Sequence, residues 1–110
     1  MLKLIYAETE KHIEIIRKLF REYEDFLGFH LCFQNFEEEM KTLPGKYAPP
    51  EGRLIIAEYD SEIAGCVAVK KIGEGVCEMK RLYVRPEFRG KKIGRKLAER
   101  IIEDAREIGY

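Results

Sequence analysis

A chain of 110 residues that is 45% hydrophobic and 36% charged has the composition of one folded domain with a workable but not generous core, which excludes a disordered chain. No apolar run approaches the roughly 20 residues that cross a bilayer, so no membrane partner is expected. Twenty basic and twenty acidic residues cancel overall, yet Lys80 to Arg100 holds nine basic residues against two acidic ones, a local charge of +7. A chain polarised in this way points to a polyanion on one side.

Leu2 to Tyr6 reads as a short strand. Its apolar stretch is too brief for a signal peptide and is soon followed by Glu8 and Glu10, which makes the cytoplasm the expected location. Thr9 is placed to cap a helix whose apolar positions, Ile13, Ile16, Leu19/Phe20, Tyr23 and Phe26/Leu27, recur at helical spacing as far as Gly28. Phe29 to Phe33 follow in a loop, as core aromatics or as the lining of a pocket. Asn35 is placed to cap a second helix, Phe36 to Leu43, stopped by Pro44-Gly45. Lys46 to Gly52 reads as a loop. Three strands then come in quick succession, Arg53–Tyr59, Glu62–Ile72 and Val76–Val84, joined by Asp60-Ser61 and by Gly73-Glu74-Gly75. Such short connections require an antiparallel meander. Pro86 ends the last strand. From Lys91 a long amphipathic helix runs through Ile93, Leu97, Ile101/Ile102, Ala105 and Ile108 to Gly109.

Cys32, Cys66 and Cys77 are odd in number and lack a C-x-x-C spacing, which argues against a disulfide framework and a zinc site. Cys66 and Cys77 could face each other across a hairpin, or be small core residues. His12 and His30 have no ligand-spaced partners, and no metal site is expected.

The chemistry is concentrated in Arg81-Leu82-Tyr83-Val84-Arg85-Pro86-Glu87-Phe88-Arg89-Gly90-Lys91-Lys92-Ile93-Gly94. Here a strand passes through an Arg-Pro turn and a basic, glycine-containing loop straight into a helix. The first turn of a helix gathers free N–H groups and partial positive charge, which suits a phosphate group. Gly90 and Gly94 let the backbone approach an anion, while Arg89, Lys91, Lys92 and Arg95 surround it with cations. Neither a P-loop G-K-[ST] nor a G-x-G-x-x-G after the first strand is present. A solvated basic helix start is the plainer alternative.

These residues resemble the GNAT superfamily of acetyl-CoA-dependent N-acetyltransferases, whose signature is [Q/R]-x-x-G-x-[G/A] between the fourth strand and the third helix. Arg89 and Gly94 match its ends, and Leu82 to Pro86 match its hydrophobic-x-Val-x-Pro lead-in. Lys92 departs from it, standing where the internal glycine usually sits. The resemblance implies an α/β (α+β) fold with a mixed, largely antiparallel sheet, in the order β-α-α-β-β-β-α. It makes residues 1–110 a single incomplete domain, ending before the fifth strand.

The resemblance also implies roles. Leu82, Tyr83 and Val84 would carry the pantetheine arm of acetyl-CoA, with the main chain of Leu82 and Val84 pairing with it. The backbone from Arg89 through Gly90, Lys91, Lys92 and Ile93 to Gly94, with the side chains of Arg89 and Arg95, would hold the pyrophosphate. Glu78 sits where many members place the carboxylate that deprotonates the acceptor amine, since an ammonium has no lone pair for attack. Partial burial would raise its pKa usefully. The alternative is a surface ion pair of Glu78 with neighbours such as Lys80 and Arg81. The group that protonates the leaving thiolate would lie beyond Tyr110.

The expected function is acetyl transfer from acetyl-CoA to the amine of a small molecule or peptide. A CoA-binding module or a fragment without turnover is the alternative. The fourth strand would remain an open edge, through which a homodimer could form. Nucleic-acid binding is disfavoured, because only Tyr83 and Phe88 interleave with the basic residues.

Overall fold

A computed structural model describes residues 1–27 and 33–110, with the side chains of residues 33–35 outside the description. Its helices are α1 (Glu10–Leu27), α2 (Phe33–Thr42) and α3 (Ile93–Ile108), and its strands β1 (Leu2–Tyr6), β2 (Arg53–Tyr59), β3 (Glu62–Gly73) and β4 (Val76–Val84). The strands form one sheet in the order β1-β2-β3-β4, antiparallel at each pairing. The expected order β-α-α-β-β-β-α is therefore the observed one. Asp60 and Ser61 both take positive φ, 49° and 70°, as a tight β2–β3 hairpin turn requires.

Period-two alternation splits the sheet residues between two cores. On one face Leu54, Ile56, Cys66, Ala68 and Tyr83 pack with the apolar stripe of α1 and with Phe36 and Met40 of α2. On the other, Ile55, Ala57, Val67 and Val69 meet Ile93, Leu97 and Ile101 of α3. The middle of the α1 stripe is fully buried, with Ile16, Leu19 and Phe20 at 0% exposure, while Phe26 at its C-terminal end is exposed. Burying one such side chain contributes about 1.5–3 kcal/mol.

Several boundaries differ from the sequence expectation. α2 begins at Phe33, so Asn35 lies inside it and is not its cap. A cap contributes about 1 kcal/mol, less than the packing of Phe36 and Met40 that sets where this helix lies. Gly45–Tyr47 forms a 3-10 turn where a plain loop was expected, and it buries Tyr47. α3 starts at Ile93 and not at Lys91, because Lys92 is left-handed at φ 63° and cannot lie within a right-handed helix. Thr9 caps α1 as expected, its hydroxyl accepting from the His12 amide at 3.1 Å.

Cys66 and Cys77 do not face each other. Cys66 pairs with Tyr83 and Cys77 with Lys71, and their side chains belong to opposite faces of the sheet. Cys32, His30 and the Phe29–Leu31 stretch lie outside the described residues, as does the side chain of Phe33. Among the described residues, no cluster of His, Cys, Asp and Glu could hold a metal. No described helix is long and apolar enough to cross a membrane.

Candidate active site

β4 organises the site through one irregularity. Cys66 pairs with Tyr83 and Ala68 with Lys80, so Arg81 and Leu82 together oppose Val67. This is a β-bulge, with Arg81 at φ 59°. The extra residue resets the alternation. Glu78, Lys80, Arg81 and Tyr83 come to the α1/α2 side, although Glu78 and Tyr83 are an odd number of residues apart. Leu82 and Val84 pack toward α3.

The bulge is held from both sides. The Arg81 guanidinium lies over the rings of Phe36 and Phe20, 5.3 and 5.6 Å from their centroids. It donates from Nε and Nη2 to the two Glu39 carboxylate oxygens, both at 3.1 Å. Next to the bulge, opposite Val84, β3 requires Gly65, because a Cβ there would come within 2.2 Å of the Tyr83 carbonyl oxygen. Beyond the bulge, Glu22 of α1 accepts from Arg85 Nε and Nη2 at 2.9 and 2.8 Å, and from the Tyr83 hydroxyl at 3.2 Å. The Arg85 bonds hold the Glu22 carboxyl below the usual carboxylate range. Burial, then the Glu22 charge, raises the Tyr83 phenol.

The Arg85 amide donates to the Ala64 carbonyl at 2.7 Å, which makes Arg85 and Tyr83 the residues bonded to β3. By alternation, the amide and carbonyl groups of Val84 and Leu82 turn to the other edge of β4. The chain then makes a 3-10 turn at Pro86–Phe88, anchored by the buried Phe88 ring against Tyr59. Gly90, at φ 87°, and the left-handed Lys92 bend it into α3. No side chain caps this helix, and buried Ile93 fixes its start. The amides of Ile93, Gly94 and Arg95 therefore open onto a surface bearing exposed Arg89, Lys91, Lys92 and Arg95. Such a start accepts anions through both its free N–H groups and its dipole.

Val84, Arg89 and Gly94 converge. Arg89 Nε donates to the Val84 carbonyl at 3.1 Å, and its guanidinium stacks 4.4 Å from the Phe26 ring centroid. A Cβ on Gly94 would sit 3.5 Å from Val84 Cγ2, so the helix start lies directly against the end of the strand. Lys91 reaches the Tyr59 ring, 5.3 Å from its centroid, and Arg95 pairs with Glu99 at 3.3 Å. Tyr83 is buried, its ring against Tyr23 and Phe26.

Glu78 stands apart from this group, six residues back along β4. It lines a cleft of about 910 Å³ between β4, α2 and the turn carrying Tyr47. The anticipated ion pair exists but with a different partner, Lys70 across the β3–β4 ladder at 4.0 Å. The Glu78 side chain is 48% exposed, open to solvent and not part-buried. Sequence reasoning missed Glu22, Glu39, Tyr47 and Lys80 around this site. Only the alternation break at Arg81 could have signalled the bulge that puts Tyr83 on the same side of the sheet as Lys80.

An uncapped basic helix start beside the outer edge of β4 sets free amides and cations next to outward-facing strand groups, a surface complementary to an anion with an extended tail. The chain belongs to the acetyltransferase (GNAT) family, which it matches over residues 13–110. It is 43% identical over 106 residues to an uncharacterised N-acetyltransferase of Schizosaccharomyces pombe, covering 94% of this chain and 65% of that relative. An uncharacterised N-acetyltransferase of Dictyostelium discoideum is 32% identical over 165 residues, covering 94% of this chain and 76% of the relative. The chain thus spans about two-thirds to three-quarters of the length of these relatives. Among solved structures, a predicted acetyltransferase with acetyl-CoA from Clostridium acetobutylicum shares the fold at a TM-score of 0.79 and 19% identity, covering 97% of this chain and 75% of that one.

Proposed function

We propose that this chain transfers the acetyl group of acetyl-CoA to a primary amine. The observation that carries the reading is the convergence of the uncapped α3 start with the outward main chain of Val84 and Leu82. The pyrophosphate would rest on the amides of Ile93 to Arg95, with Arg89, Lys91, Lys92 and Arg95 as counter-charges. The pantetheine arm would pair with Leu82 and Val84, leaving the thioester near the bulge. Membership of the family and the acetyl-CoA named with the Clostridium structure support this choice of ligand.

Glu78 takes one proton from the acceptor ammonium, freeing the nitrogen lone pair. The nitrogen–carbon bond then forms at the thioester carbonyl, whose oxyanion is stabilised by strand amides near the bulge. The carbon–sulfur bond breaks, and the attacking nitrogen gives up its second proton to the departing thiolate, leaving an amide with one N–H and coenzyme A as the free thiol.

Isothermal titration with CoA and with acetyl-CoA, beside a thiol-release assay on a panel of amines, tests the reading. Saturable CoA binding lost in a Gly94→Trp variant is expected, together with amine-dependent thiol release. CoA binding without release from any amine would remove the catalytic part, and absence of binding would remove the whole.

A further inference from the structure

The acceptor side of β4 holds a charge that the protein itself leaves unanswered. Four cations, Lys46, Lys70, Lys80 and Arg81, and three carboxylates, Glu38, Glu39 and Glu78, line the cleft. Arg81 is taken by Glu39 through two hydrogen bonds, and Lys70 has Glu78 at 4.0 Å. Glu38 and Lys46 lie exposed at the rim. Lys80 is different. It is half-buried on the cleft floor, and among the described residues no carboxylate stands within ion-pair distance of its ammonium. Burial first, then the charges of Lys70 and Arg81, lowers its pKa, and the weaker attraction of Glu78 and Glu39 does not offset them. A bound anion would reverse that.

A second observation is independent of charge. The Tyr47 hydroxyl lines the same cleft, its residue only 2% exposed. Glu39 and Arg81 are its polar neighbours and act on it electrostatically, but neither meets the distance and angle of a full hydrogen bond to it. A buried hydroxyl with no full partner has lost its water without replacement, and a ligand's polar group would restore that hydrogen bond.

We propose that this cleft takes an acceptor bearing a carboxylate as well as its amine, a free amino acid, with Lys80 holding the carboxylate. Lys70 flanks the same anion, and the Tyr47 hydroxyl supplies a further polar contact. Glu78 lies two residues from Lys80 on the same strand face, a separation of roughly 7 Å. That span suits a small zwitterion whose ammonium meets Glu78 and whose carboxylate meets Lys80. Lys80 is then a specificity-determining residue, and the Glu78–Lys70 pair opens to admit the acceptor. The inference rests on the acetyl-transfer reading for its chemistry but not for its binding test.

That test is equilibrium binding, followed by heteronuclear NMR shifts of the full chain in saturating CoA. Matched probes are used: phenylalanine, phenylalaninamide and phenethylamine, then the glutamate and alanine counterparts. The acid is expected to bind at least tenfold tighter than its amide in one of these sets, with shifts at Lys80, Lys70 and Tyr47. Lys80→Met should abolish that preference while leaving amide binding and CoA binding unchanged, and Lys80→Arg should retain most of it. Equal binding of acids and amides, or a preference that survives Lys80→Met, would overturn the proposal. CoA titration run in parallel separates the two readings. If CoA binds without any preference for acids, only the carboxylate subsite falls. If CoA does not bind at all, the acetyl-transfer reading falls by itself, while the acid–amide comparison still decides the subsite.

Discussion

Lys92 offers the sharpest test of how this chain handles phosphate. It occupies the left-handed region at φ 63° and ψ 21°, immediately before α3. A side chain with a Cβ carries a cost of about 1–2 kcal/mol in that conformation. Replacing it with glycine removes the cost but adds about 0.5–1 kcal/mol of backbone freedom to the unfolded chain. The net expectation for Lys92→Gly is a stabilisation of about 0.5–1 kcal/mol, or about 2–5 °C in thermal midpoint for a domain of this size. Lys92→Ala keeps the Cβ and so should gain nothing. Both variants lose the ammonium, and both should bind CoA about two- to fivefold more weakly on that account. The glycine variant should recover part of this loss, since its backbone can approach the ligand more closely. Thermal unfolding followed by circular dichroism, with calorimetric CoA titration, reads both quantities. If Lys92→Gly is no more stable than Lys92→Ala, the strain assigned to this position is not there.

Glu78→Gln should lower the turnover of amines by about 10²–10⁴-fold at neutral pH while leaving CoA affinity within twofold, as measured by thiol release and titration. Gly94→Ala should fold and bind CoA nearly as well as the parent, because its Cβ would meet Val84 Cγ2 at an ordinary 3.5 Å. Gly65→Ala should destabilise by about 1–3 kcal/mol or more in urea unfolding, since its Cβ would sit 2.2 Å from the Tyr83 oxygen. Glu22 gives a pH dependence. Its folded pKa lies below the unfolded value, so the stability it supplies is complete above the unfolded pKa and is lost as pH falls through the folded one. Glu22→Gln should therefore flatten that part of the acid unfolding profile while destabilising the protein at pH 7. An unchanged acid limb would show that Glu22 is not the group responsible.

Much of this protein is local and therefore legible in the chain. The α1 stripe from Ile13 to Tyr23 repeats every three to four residues, and such a period can bury one face only as a helix. The alternating segments around Asp60-Ser61 and Gly73-Gly75 can connect only as hairpins. Arg89 to Gly94 announced a basic helix start with free amides because chain direction alone decides where such amides gather. The weak points were also local in origin. Asn35 looked like a cap because its side chain competes well for amides, but Phe36 and Met40 packing set the start of α2 three residues earlier than expected.

What no segment states by itself is how β4 divides its residues between the two faces. Alternation read from the sequence would send Arg81 toward α3. Instead it turns to meet Glu39, Phe20 and Phe36, from helices about 40 and 60 residues upstream, and the strand bulges to allow it. That single displacement puts Tyr83 on the same side of the sheet as Glu78 and Lys80. The sequence by itself determined the elements, their order and the basic turn into α3, because these depend on neighbours a few residues apart. Only the tertiary structure decided which side chains share the acceptor cleft, because that depends on charges and rings brought together from distant parts of the chain.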